Sequence, residues 1–183
     1  MSTVLNAVAG DLAPIVESFM PECLGNRLSV AAIPVDAPDT MAGVLISRDF
    51  KIPMPDGVPD AFNWFLPIGQ ALMTVDQQYE AKRPDLKVGE ALDLWMLGVD
   101  AERFGQRGIG TRLIQLSTDL AKQQGFRRCV AECTGHYSQA AAQRSGFQEA
   151  ARLAYADFLF EGQRVFANVQ PPHTHLILYE KPL

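Results

Sequence analysis

The chain has 183 residues, a formal net charge of −5 from 16 Lys+Arg against 21 Asp+Glu, and 48% hydrophobic residues. That is enough apolar surface for one compact domain with a true core, and it excludes wholesale disorder. An acidic balance without a Lys/Arg cluster argues against nucleic-acid partners, and no run approaches the ~18 apolar residues of a membrane span.

Met1-Ser-Thr-Val-Leu-Asn lacks the basic region and long apolar core of a secretory signal, so a cytoplasmic location is expected. Cys23, Cys129 and Cys133 fit that compartment, being an odd number in a chain too large to need disulfides. Cys129 and Cys133 find no second pair of Cys or His to complete a zinc site.

Leu12, Ile15, Val16, Phe19 and Met20 recur at helical spacing, with Asp11 as cap, Pro14 in the first turn and Pro21 as an interruption. Residues 28–33 and 41–50 read as strands joined by the turn-rich stretch from Pro34, a hairpin. A Pro-rich stretch with Phe62, Trp64 and Phe65 follows, either a loop packed on the core or the wall of a pocket. Ile68, Leu72, Val75 and Tyr79 share a helical face between Pro67 and Pro84. Residues 91–99, apolar nearly throughout, read as a buried central strand.

Residues 105–110 form a Gly-rich turn, and 111–124 a helix with Leu113, Leu116 and Leu120 inward, ended by Gly125. Residues 128–133 read as a strand, 138–145 as a short helix closed by Gly146, and 155–160 and 175–181 as the last strands. No repeat, low-complexity tract or break in composition divides the chain, so residues 1–183 read as a single α/β domain with a mixed sheet and few helices.

The informative stretch runs from Leu97 to Leu113: strand, loop, Gly-rich turn, helix. Such a turn aims several backbone N–H groups at one point, at the positive end of a helix dipole, which suits a phosphate. Gly108 and Gly110 let an anion approach without a Cβ in the way, and Arg107 and Arg112 add positive charge. A P-loop is excluded because no Lys follows Gly110, and the spacing of Gly105, Gly108 and Gly110 reverses that of a dinucleotide fingerprint. A tight strand-to-helix connection without a ligand explains the same glycines.

In the order Val99, Gly105-x-x-Gly108-x-Gly110, helix, strand, and short helix ending Gly146-Phe147, the chain resembles the GCN5-related N-acetyltransferases (GNAT). The resemblance implies a twisted, mixed, mostly antiparallel sheet of six to seven strands flanked by about four helices, and acetyl-CoA as cofactor. It places Gly105, Gln106, Arg107, Gly108, Gly110 and Thr111 around the pyrophosphate, although Gly105 stands where the family has Arg or Gln. Leu97 and Val99 would hold the pantetheine, with the Val99 N–H as oxyanion donor. Arg144 stands where relatives place a basic residue near the cofactor phosphates, or else lies on a solvated helix face.

Cys133-Thr-Gly-His-Tyr-Ser138, Tyr155-Ala-Asp157, Pro172-His173 and Phe19-Met-Pro-Glu22-Cys-Leu24 are similar to the arylalkylamine and dopamine N-acetyltransferase branch. The resemblance implies direct acetyl transfer to a small primary amine, an arylalkylamine among the choices. At neutral pH only about one alkylamine in a thousand is uncharged, so a base is needed. Glu22 matches the branch's catalytic Glu, with Pro21 for its Asp and Cys23 for its Pro; Glu132 is the runner-up.

The family's usual acid, a Tyr, is replaced by Ala142, which leaves Ser138, Tyr137 or His136 for that role. Ser138 is divided between helix capping and contact with the cofactor or a proton relay, with Thr134 beside it. His173 reads first as a residue that holds its loop by hydrogen bonds, and Cys133 as a buried strand thiol rather than a nucleophile. The alternatives are a non-catalytic CoA-binding or regulatory domain of this fold, or an acetyltransferase for an antibiotic, a polyamine or a protein N-terminus. A homodimer is compatible with the sequence.

Overall fold

The computed structural model describes residues 17, 20, 21, 23–25, 27–53 and 64–183. Glu22, Phe62 and most of the expected first helix lie outside the described residues. Pro21, expected to interrupt that helix, has helical backbone itself, as do Cys23, Leu24 and Gly25. A proline's fixed φ is itself helical, so its own backbone can stay helical although it withholds an N–H and crowds the preceding turn.

β1 (Val30–Ala32) and β2 (Gly43–Asp49) form the expected antiparallel hairpin, with Val30 opposite Leu45. α1 (Leu66–Ala81) follows, with Pro67 in its first turn and Ile68, Ala71, Val75 and Tyr79 buried. β3 (Ala91–Val99) has the expected bounds but is buried only over its first half; Leu97 is 37% exposed. The reason is topological: the strand outruns its neighbour.

A short helix that the sequence did not announce, α2 (Ala101–Phe104), is capped by Asp100, whose carboxylate accepts from the Arg103 N–H at 3.1 Å. α3 (Ile109–Gln123) buries Leu113, Ile114, Ser117, Thr118 and Ala121. Leu116, expected inward, is 39% exposed, because the buried stripe is centred one residue away. β4 (Arg128–Cys133), α4 (His136–Arg144) and β6 (His175–Pro182) stand close to their expected places.

The expected strand at 155–160 is a correction. β5 (Gln148–Ala154) precedes it, and the aromatics Tyr155, Phe158 and Phe166 instead close a turn-rich loop over the core. Phe158 and Phe166 stack at 5.3 Å, so their large rings pack loop against sheet rather than strand against strand.

The six strands form one sheet in the order β1-β2-β3-β4-β6-β5. Every neighbouring pair is antiparallel except β3 and β4. α3 and α4 pack with Leu45, Leu92, Leu94, Cys129 and Cys133 on one face. α1 and the aromatic loop pack with Ala91, Val130, Leu176 and Leu178 on the other.

The parallel pair is short. Ala91, Leu92 and Asp93 face Arg128, Cys129 and Val130, and pairing stops there. β3 runs on to Val99 beside β2, and β4 runs on to Cys133 beside β6. Two strands held by different partners beyond a common root must diverge, and the sheet opens between them.

Candidate active site

A cavity of about 500 Å³ occupies the opening. Leu94, Ile114, Cys133, Ala142 and Phe147 line it from the α3–α4 side, and Ile46, Phe65, Ile68, Leu72 and Glu132 from the α1 side. It therefore passes through the sheet. Phe65, from the aromatic stretch with two readings in the sequence, is one of its walls.

Backbone polarity on β3 follows from the ladder. The Asp100 N–H donates to the Ala42 carbonyl at 3.0 Å, so position 100 points its amide toward β2. Val99 lies opposite Gly43 and Leu97 opposite Leu45. Hydrogen-bonding direction alternates along an antiparallel ladder, so the N–H groups of Leu97 and Val99 point away from β2, into the opening. Pairing with β4 ends before either residue.

The Gly-rich turn stands at the end of the same strand. Gln106 (φ 58°) and Gly108 (φ 72°) are both left-handed, and Gly108 caps α3 without a side-chain hydrogen bond. Left-handed residues at a helix start turn successive N–H groups to one concavity, a geometry suited to an anion. A Cβ on Gly110 would lie 3.6 Å from Leu97 and 3.7 Å from Val99, so this turn sits against the end of β3. Gly105 has its own packing reason: a Cβ there would collide with the Ala101 carbonyl oxygen. Arg107, Arg112, Thr111 and Arg144 are exposed, and the Arg107 guanidinium lies 5.5 Å from the Phe104 ring centroid.

At the other wall, Ser138 and Thr134 line the cavity. Ser138 is no N-cap: Gly135 holds that position, and the Ser138 hydroxyl donates to the Gly135 carbonyl at 2.9 Å. The Thr134 carbonyl accepts from the Tyr155 hydroxyl at 2.6 Å. Tyr137 is exposed, with its ring edge-on to His136 at 5.8 Å and tilted against His173 at 5.7 Å. His173 Nδ1 accepts from the His136 N–H at 3.1 Å, which ties its loop to the start of α4. Burial pushes the Cys133 thiol up to about 12, with the Ser138 hydroxyl pulling it back.

Behind the α1-side wall lies a group of charges that the sequence reading found only in part. Arg48 on β2, Asp93 on β3 and Glu132 on β4 project from one face of the sheet toward Asp76 on α1. Arg48 Nε donates to Asp93 Oδ2 at 3.2 Å, and both side chains are buried. Burial pushes Asp93 up to about 6 although Arg48 opposes it. Burial, then the charge of Asp93, pushes Asp76 up to about 7. Burial, then the charges of Asp76 and Asp93, holds Glu132 well above the usual carboxyl range. The signal was available: Asp76 interrupts the apolar face of Val75 and Tyr79, and Asp93 an otherwise apolar strand.

No family model matches the chain. Among solved structures, arylalkylamine N-acetyltransferase 2 from Aedes aegypti is similar at 24% identity and a TM-score of 0.72, over 92% of this chain and 79% of that one. The C-terminal condensation domain of Ebony, solved with beta-alanyl-dopamine, has a TM-score of 0.85 at 14% identity, over 100% of this chain and 85% of that one. The polyamine N-acetyltransferase of Drosophila melanogaster has a TM-score of 0.69 at 21% identity, over 90% and 79%. With its six-stranded mixed sheet, the chain shares an α/β GNAT-like fold with these solved structures.

Proposed function

We infer that this is a single-domain N-acetyltransferase that uses acetyl-CoA and acts on a small primary amine. The observation that carries the reading is the free edge of β3: two inward amides, Leu97 and Val99, between an apolar cavity and a left-handed turn at a helix start. Acetyl-CoA supplies the activated acetyl thioester. The turn from Gly105 to Thr111 would hold the phosphates, with Arg107, Arg112 and Arg144 as counter-charges, and the Leu97 backbone the pantetheine. The Val99 N–H would polarise the reacting carbonyl.

The cavity supports an acceptor with an apolar body. Trp95, Met96, Phe65 and Leu72 stand on its walls, and Glu132 is the one carboxyl among its described lining residues. A monoamine with an aryl or alkyl body suits such a site, whereas the second cation of a polyamine would lack a partner there. Glu22 takes the role of base on the resemblance alone. Cys23, the next residue, is buried with Ile46 against Phe65, Trp95 and Met96, three residues of the cavity wall. Ser138, at the wall near Cys133, is favoured over the exposed Tyr137 and His136 for returning a proton to the thiolate.

An amine screen with acetyl-CoA and free-thiol detection tests this reading. Amine-dependent CoA release supports it; binding of acetyl-CoA with no release for any amine gives the chain to the non-catalytic alternative. Glu22→Gln is expected to lower turnover at neutral pH, with partial recovery at high pH, and an unchanged profile removes Glu22 from the chemistry. A second reading, transfer of an aminoacyl group, is favoured by the full-length match to a condensation domain. A beta-alanyl thioester as alternative donor distinguishes the two.

A further inference from the structure

Asp76 and Glu132 present an unusual pair. Their carboxyls lie within hydrogen-bonding range of each other, and Asp76 Oδ1 and Glu132 Oε1 are both buried without a donor among the described residues. Two ionised carboxylates have no proton to share, so this contact is stable only when one of them is protonated. The surroundings supply little relief. Arg48 is committed to Asp93 at 3.2 Å and to the Ile52 carbonyl at 3.0 Å. Glu80 on α1 adds negative charge, itself paired with Lys51, and Cys133 on β4 is a neutral thiol beside Glu132.

Of the pair, Glu132 forms part of the cavity wall. It stands on the α1 side, among Phe65, Ile68 and Leu72, across the sheet from α3 and its glycine turn. A ligand amine in that half of the cavity meets one carboxyl, and behind it a second that shares its proton.

We propose that the Asp76–Glu132 pair is a proton-accepting group of the transfer site, which takes the proton shed by the acceptor ammonium. The inference rests on the transferase reading, and it gives to this pair the proton that the resemblance would give to Glu22. The ammonium N–H proton passes to Glu132 as Glu132 hands the proton it already holds to the Asp76 carboxylate behind it. The freed nitrogen lone pair forms the N–C bond to the thioester carbonyl carbon, and the C–S bond breaks with its electrons leaving on sulfur. The second proton lost by nitrogen goes to that thiolate, and the pair later returns its own proton to water. Asp76 acts through Glu132: its carboxylate takes the proton that Glu132 gives up, and its negative field keeps Glu132 a strong enough base.

The test compares wild type, Glu132→Gln, Asp76→Asn and Glu22→Gln by amine-dependent CoA release across pH, with acetyl-CoA affinity measured by calorimetry. Glu132→Gln is expected to lose about 10²–10³-fold in kcat/KM for the amine and to lose the acidic limb of the profile. Its acetyl-CoA affinity is expected to stay within about twofold of wild type, because the pair faces the other side of the sheet. Asp76→Asn is expected to lower kcat/KM about tenfold and to move its acidic limb to lower pH, since a neutral neighbour no longer raises Glu132.

Infrared spectra supply a readout apart from turnover: a protonated-carboxyl band at neutral pH that Glu132→Gln or Asp76→Asn removes. Absence of that band in wild type overturns the proposal. So does an active wild type whose acidic limb survives in Glu132→Gln and disappears in Glu22→Gln. If the band is present but no amine or acyl donor gives turnover, the transferase reading fails, and the proton-accepting role fails with it for that distinct reason.

Discussion

Asp93 is the last residue of β3 to pair with β4, and its partner there is Val130. Beyond this contact the two strands keep only their outer neighbours, and the edge of β3 that would carry a reacting carbonyl comes free. Asp93 also anchors the buried charges through Arg48. One position thus ends the pairing on one edge and begins the electrostatics behind the cavity.

Gly108 tests the phosphate turn. Its φ of 72° is costly for an L-residue, and no atom lies within 4 Å of a Cβ built there. Gly108→Val is expected to lower stability by about 1–2 kcal/mol through backbone strain and to weaken CoA binding at least tenfold by filling the concavity. Gly108→Asn, which tolerates the left-handed conformation, separates strain from occlusion. CoA affinity equal to wild type in both variants would remove the turn from the cofactor site.

Cys133 borders the cavity, yet its thiol is held at about 12 by burial, so the nucleophilic thiolate is essentially absent at neutral pH. Cys133→Ala is expected to keep turnover within a few-fold and to lose stability to the small void it leaves. A stoichiometric acetyl-enzyme on mixing with acetyl-CoA alone, absent in the variant, would contradict direct transfer.

Tyr79 ties α1 to β6. Its hydroxyl donates to Glu180 Oε1 at 2.8 Å, beside Arg128 at 2.6 Å and Arg83 at 2.8 Å on the same carboxylate. Tyr79→Phe removes one bond to a charged group while both guanidinium partners remain, so a loss of about 1.5–3 kcal/mol is expected in urea unfolding. Turnover should be unaffected at temperatures where the variant stays folded; a collapse of activity without loss of stability would contradict a structural role.

The pH dependence of stability follows from Asp76. Its carboxyl, near 3.8 when free, is raised to about 7 in the folded chain. Between those values the native state holds the extra proton, so stability contributed by this group is full below the lower value and declines as pH rises toward the upper one. The slope is at most about 1.4 kcal/mol per pH unit. Asp76→Asn is therefore expected to gain on wild type across that window and to hold a constant advantage above it. Parallel stability curves for the two proteins would show that the carboxyl is not raised.

Much of the architecture was legible because it depends on local chemistry. The glycine turn, β3 with its bounds, and the apolar face of α1 each follow from spacing and turn residues. The parting of β3 and β4 was not legible, since pairing partners lie far apart in sequence and an apolar strand reads alike with one neighbour or two. The strand expected at 155–160 failed for a related reason: Tyr155 and Phe158 carry strand-like composition but spend it on ring packing with Phe166 over the core.

The buried charges show a different limit. Glu132 was visible as a carboxyl on a strand, but its worth depends on Asp76 and Asp93, which arrive from α1 and β3. A single charge inside an apolar pattern announces that something must compensate it. It does not say which element will bring the compensation.

An opening walled from both faces of the sheet offers each face a share of one cavity. Two reactants seated on opposite faces would not have to displace one another. On the proposed transferase reading, this would give a ternary complex open to either order of binding, with the acylated amine competing against the amine and free CoA against its thioester.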